Sequence, residues 1–164
     1  MSKLNIKTLI LLVFTCAFFF SACNSGGAPK KNNSSTAELQ KLLEEYYQTM
    51  STRNWKAYQA YFSSDASLTT IWKEQTDSIP KIKTSSITDF IAQTKDGPDS
   101  QPIFEEKMLS SEIEIKNNLA QAWVSYEAKF GTQDNLFEWK GIDLFSFIRY
   151  NNEWKIVAIV FEAE

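Results

Sequence analysis

Chemistry in this chain has few side chains to come from. There is no histidine, which removes the commonest general base and the commonest metal ligand. Ser-His-Asp and Cys-His catalysis go with it. The two cysteines are Cys16 and Cys23. They form no zinc spacing, and no glycine-rich loop offers to cradle a phosphate. No metal and no cofactor is therefore expected. Carboxylates and aromatic rings remain. Asp143 follows Gly141 within an otherwise apolar strand. Pointing into a cavity, it would be a buried acid with a raised pKa, able to act as a base; facing water, it would be an ordinary solvated side chain. Glu127 has the same two readings. Trp55, Tyr58, Phe62, Trp72, Phe90, Phe104, Trp123, Phe145, Phe147 and Trp154 either line a pocket for a flat apolar ligand or fill an ordinary core. Tyr47, Tyr58, Trp72, Phe90, Phe145 and Phe147 are the residues assigned to such a pocket. Trp123 and Trp139, if on the outer face of a sheet, would mark a homodimer interface.

These groups need a scaffold, and hydrophobic periodicity outlines one. Ser35-Thr36-Ala37-Glu38 fits a capping box. Leu39, Leu42, Leu43, Tyr46, Tyr47 and Met50 then follow at steps of three and four, one stripe of an amphipathic helix. Residues 51–54 break it. Asn54 is placed to cap a second helix bearing Trp55, Tyr58 and Phe62. Residues 63–65 read as a turn and 67–73 as a short strand, and 73–85 stay ambiguous between strand and loop. Ser86 with Asp89 starts a third helix carrying Ile87, Phe90 and Ile91, and a Gly/Pro/Asp-rich loop covers 95–102. From Ile103 the period becomes two. Ile113 and Ile115 alternate with acids and a lysine. Asn117-Asn118 makes a hairpin turn. Residues 119–130 form a strand with Ala120, Ala122, Val124 and Tyr126 on one side. Residues 136–150 form a long strand, bent or bulged at Gly141. After a turn at Asn151-Asn152, Trp154 to Phe161 closes an antiparallel meander. Helices first and strands second define an α+β fold.

The N-terminus has its own logic. Lys3 and Lys7 lie in a short basic start, and residues 8–20 are almost wholly apolar. As a helix that segment would span about 20 Å, short of the roughly 30 Å of a bilayer core. Small residues follow, as in a secretory signal. Phe20-Ser21-Ala22-Cys23 resembles the bacterial lipobox, with Phe where leucine is usual. The resemblance implies acylation of Cys23 and cleavage before it. Cys16 would leave with the signal, so no intrachain disulfide is expected. Two or three acyl chains anchor stably where one is marginal. The organisation expected is thus a signal at 1–22, a lipidated cysteine and polar tether at 23–35, and one domain at 36–164. The net charge of −3 becomes more negative without Lys3 and Lys7, which argues against nucleic acid as a partner. An aspartate after the lipidated cysteine directs retention in some bacteria. Asn24 stands there instead, so the lipobox resemblance implies a lipid-anchored protein on the periplasmic side, with the outer membrane preferred.

Within the domain, two stretches carry a further resemblance. The first runs from Tyr46-Tyr47 through Arg53-Asn54-Trp55 to Phe62-Ser63-Ser64-Asp65-Ala66. The second runs from Ala120 to Tyr126, through Gly141-Ile142-Asp143-Leu144-Phe145, to Asn151-Asn152-Glu153-Trp154-Lys155-Ile156. Together they resemble the nuclear transport factor 2-like superfamily, which includes SnoaL-like and ketosteroid isomerase-like domains. The resemblance implies helices packed on a curved antiparallel sheet around a cone-shaped cavity, a cystatin-like α+β roll. Ketosteroid isomerase-like members use a phenol on the first helix, matched here by Tyr47. Their carboxylate base on the first strand falls near Thr69 or Thr70, where this chain has no acid. The leading expectation is therefore a binding module for a small apolar ligand or an envelope protein. The alternative is a cofactor-independent isomerase, cyclase or dehydratase using Tyr47 and Asp143. A purely structural envelope component would differ in having its cavity filled by its own aromatics.

Overall fold

The computed structural model describes residues 33–73 and 78–164; the expectations for the signal, Cys23 and most of the tether lie outside those residues. The apolar stripe winds into α1 (Asn33–Ser51), with Leu39, Leu43, Tyr46, Tyr47 and Met50 buried. The expected capping box is corrected. Ser35 lies inside the helix and is buried, and Arg149 from the far end of the chain reaches both of the box's polar groups. Its Nη1 donates to Ser35 Oγ at 3.2 Å, and its Nη2 pairs with Glu38 at 3.4 Å. The other two caps form as expected. Arg53 takes a left-handed φ of 56°, and Asn54 Oδ1 then accepts from the amide of Ala57 at 3.2 Å to open α2 (Trp55–Gln59). Ser86 Oγ accepts from the amide of Asp89 at 3.0 Å to open α3 (Ile87–Gln93).

The strands are β1 (Phe62–Trp72), β2 (Lys81–Ser86), β3 (Ile103–Lys116), β4 (Leu119–Gly131), β5 (Leu136–Tyr150) and β6 (Glu153–Ala163). They form one sheet in the order β2-β1-β6-β5-β4-β3. Residues 63–65, expected as a turn, belong to β1, where pairing with β6 shifts register between Phe62 and Ser67. The sheet is mixed, not wholly antiparallel, because β1 and β6 pair in parallel. No hairpin constrains the direction of two strands so far apart in sequence. The β3–β4, β4–β5 and β5–β6 pairs are the expected meander. Its last turn has Asn151 and Asn152 both at positive φ, as a tight two-residue hairpin requires.

Alternation along β4 buries Ala120, Ala122, Val124, Tyr126 and Ala128, and along β5 it buries Gly141, Asp143, Phe145 and Phe147. The helices cover this face. Tyr46 meets Phe145 edge-on at 5.1 Å, and Tyr47 lies stacked near Tyr126 at 6.3 Å. Gly141 is not a bulge: its pairing with Tyr126 is regular. A Cβ there would sit 2.4 Å from the carbonyl oxygen of Glu162 and 2.5 Å from the Tyr126 hydroxyl, so glycine is needed to let that ring lie across the strand. The register shifts fall elsewhere, between Met108 and Ser110 in β3 and where Ser146-Phe147 face β6.

Candidate functional site

The interior is largely filled. Tyr46, Tyr47, Tyr58, Phe62, Phe145 and Phe147 pack on one another, with Phe145 and Phe147 stacked at 5.7 Å. Tyr58 is fully buried, and its hydroxyl meets that of Tyr46 at 2.9 Å. Phe90 packs against Trp55 and Tyr58. The pocket expected from the aromatics is thus corrected for Tyr58, Phe90, Phe145 and Phe147: they fill the core by contact with each other. Trp72 is corrected too. It ends β1 opposite Lys81 and is 55% exposed.

Open space lies to one side, in a cleft of about 410 Å³ between α1 and β3, lined by Gln40, Glu44, Tyr47, Gln48, Glu106, Lys107, Met108 and Leu109. Of the expected pocket residues, Tyr47 alone lines it. The cleft is fastened at both ends. Ser51 Oγ donates to the carbonyl of Glu106 and accepts from its amide, both at 2.8 Å. Ser111 Oγ donates to Gln40 Oε1 at 2.6 Å. Between these pins the strand bulges at Leu109, which carries it away from regular pairing beside the helix.

Behind the cleft, the Tyr47 hydroxyl donates to Asp143 Oδ2. Val124 and Phe161 flank Asp143 across the sheet, on the row that also carries Thr70. Burial pushes the Asp143 carboxyl up to about 7, although the Tyr47 hydrogen bond opposes this. Burial, together with the charge on Asp143, pushes Glu106 up to about 8. Glu106 is half-buried, with its side chain lining the cleft. Burial first, then the neighbouring acids, hold the Tyr47 and Tyr126 phenols well above their usual range. The Trp139 indole beside Tyr126 opposes that rise, and Trp139 packs partly buried against the core. Trp139 therefore faces inward and leaves only Trp123, 53% exposed, on the outer face. Glu127 also faces away from the cleft, paired with Lys107 at 3.8 Å.

The site thus brings Tyr47 and Asp143 into direct contact and adds two groups that the sequence reading missed, Glu106 and Tyr126. At the position where ketosteroid isomerase-like enzymes carry their base, Thr69 Oγ1 is hydrogen-bonded to Thr84 Oγ1 at 3.0 Å and Thr70 offers a hydroxyl. Among the described residues no three acidic or cysteine side chains gather as a metal ion would need. The arrangement supplies hydrogen-bond donors and acceptors, and carboxyls that change charge near neutral pH.

Helices over one face of a six-stranded mixed sheet give the protein the fold of the NTF2-like, cystatin-like structures. The chain belongs to the family described as "Putative lumazine-binding", which matches residues 34–162. An NTF2-like protein of unknown function from Silicibacter pomeroyi superposes with a TM-score of 0.58 at 18% identity, covering 80% of this chain and 98% of that one. An NTF2-like protein from Novosphingobium aromaticivorans gives 0.63 at 12% identity, covering 79% and 81%. The beta subunit of the benzoate 1,2-dioxygenase from Burkholderia mallei gives 0.61 at 13% identity, covering 78% and 89%. At these identities the likeness is one of fold. No functionally curated protein matches the sequence.

Proposed function

We propose that the protein is a lipid-anchored component of the cell envelope whose domain takes up a small, planar, polar molecule through the α1–β3 cleft. The observation that carries this is the cleft itself. Its volume falls within the roughly 300–1,000 Å³ of small-molecule sites, and it opens onto a phenol–carboxyl pair and a second carboxyl. The family description, lumazine-binding, supports a ligand of that kind: lumazine is a flat heterocycle edged with N–H and C=O groups. An apolar ligand, expected while the aromatics were read as a pocket, fits this cleft less well, because five of its eight lining residues are Gln40, Glu44, Gln48, Glu106 and Lys107. Titration calorimetry with lumazine and with naphthalene tests the reading. Saturable binding of lumazine, weakened by Tyr47→Phe, is expected; binding of naphthalene alone would refute it.

The anchor rests on Phe20-Ser21-Ala22-Cys23. Labelled palmitate should enter the wild-type protein in a bacterial host and be absent from Cys23→Ser.

A second reading is proton-transfer catalysis of the isomerase, cyclase or dehydratase type. The contact between Tyr47 and Asp143 favours it, since a carboxyl raised to about 7 is poised to exchange a proton near neutral pH. Such an enzyme would exchange deuterium from solvent into a bound carbon acid, and Asp143→Asn would stop that exchange. A protein that binds ligand without any exchange is a binding module.

A further inference from the structure

Three carboxyls stand at or behind the cleft, and two are satisfied. Glu44 accepts from Gln40 Nε2 at 3.0 Å, and Asp143 accepts from Tyr47. The Glu106 carboxyl has no hydrogen-bond or ion-pair partner among the described residues, although its backbone amide and carbonyl are both held by Ser51. The groups around it explain why it stays alone. Tyr46, Tyr47 and Glu44 approach from α1, Tyr58 from α2, Tyr126 from β4 and Asp143 from β5. All are neutral phenols or further acids. The one cation at the cleft, Lys107, reaches out to Glu127. An unpartnered carboxyl that lines the cleft is free to hydrogen-bond a ligand whose edge matches.

We propose that Glu106 reads the lactam or imide edge of a planar heterocycle, its carboxyl accepting the ring N–H and donating to the adjacent ring carbonyl. This rests on the cleft being a ligand site, as above, and names the part of the ligand that the site selects. A protonated carboxyl has one donor and one acceptor side by side, the complement of N–H beside C=O. A carboxylate has acceptors only and would select a protonated amidinium edge, with two N–H donors, instead. The lack of a facing cation favours the protonated form, consistent with the rise of Glu106 to about 8. Tyr47, bonded to Asp143 on the same side of the cleft, bounds the far end of the ring.

The test is a titration of the purified full chain with two pteridines: lumazine and 1,3-dimethyllumazine, whose ring N–H groups are blocked. At pH 6.5 lumazine should bind about tenfold or more tightly than the dimethyl compound, the loss expected for one unmade hydrogen-bond pair. Glu106→Gln should stay within about threefold of wild type, because its amide presents the same donor and acceptor. Glu106→Ala should lose about tenfold. Between pH 6.5 and 9 the wild type should weaken more than Glu106→Gln, whose own pH dependence reports the ionisation of the ligand and of Asp143 behind the cleft. Equal binding of lumazine and its dimethyl form, or an unaffected Glu106→Ala, would overturn the edge assignment while leaving the cleft a ligand site. If no pteridine binds at all, both readings fall together.

Discussion

At Asp143, burial outweighs the single hydrogen bond from Tyr47, so the folded protein holds a proton that the unfolded chain releases at a lower pH. The same holds for Glu106. Because the native state binds more protons, stability is fully present below the ordinary carboxylate range and is lost as pH rises through about 7 to 8. For Asp143, moving from 3.8 to about 7 at about 1.4 kcal/mol per pH unit amounts to roughly 4 kcal/mol. Urea denaturation at pH 5 and pH 8.5 should show the wild type less stable at the higher pH, and Asp143→Asn should flatten much of that difference. Gly141 is the other residue under close constraint. Gly141→Ala would drive a Cβ into the Glu162 carbonyl and the Tyr126 ring, and should cost about 1–3 kcal/mol or more in the same assay. Asp143 was legible from sequence because it interrupts an apolar strand two residues after that glycine. Tyr47 was legible by position on its helix. Glu106 was not, and the reason is local: Ile113 and Ile115 face inward at odd numbers, whereas Phe104, Glu106 and Met108 face inward at even ones. The bulge at Leu109 exchanges the two faces, so alternation counted back from Ile113 points Glu106 at solvent.

Elements position the site through a few polar pins. Ser51, the last residue of α1, holds both backbone groups of Glu106, and Gln40 holds Ser111 two turns or more toward the start of the helix. Ser51→Ala should leave the Glu106 amide unpaired, cost about 1–3 kcal/mol, and raise the hydrogen-exchange rate of that amide in particular. Asn54→Ala should cost about 1 kcal/mol by uncapping α2, with little effect on that exchange. On the other side of the α1–α2 joint, Trp55 Nε1 bonds both oxygens of Asp99, and Arg53 Nη2 donates to the carbonyl of Gln101 at 2.7 Å, tying the segment before β3 to the helices. Caps at Asn54 and Ser86 and the Asn151-Asn152 turn could be read from sequence, since each depends on residues three or fewer positions apart. The place of Ser35 inside α1 could not, since the contact it makes there is with Arg149, at the other end of the chain.

For the whole molecule, charge and anchoring bear on where it works. The chain carries a net charge of −3, and no helix among the described residues is long and apolar enough to cross a membrane. If Cys23 carries the anchor, Cys23→Ser should move the protein from the membrane to the soluble fraction on ultracentrifugation. The lumazine affinity of the domain should be unchanged by that substitution. The sequence by itself determined the α+β class, the helix stripe, the meander from β3 to β6 and the candidacy of Tyr47 and Asp143, because periodicity, caps and turns are local properties. Only the tertiary structure decided that the aromatics fill the core, that β1 joins β6 in parallel, that Trp139 turns inward, and that a cleft opens between α1 and β3. Each of those depends on which distant surfaces pack and where a single extra residue in a strand reverses the alternation. No local pattern specifies such long-range competition for the same volume.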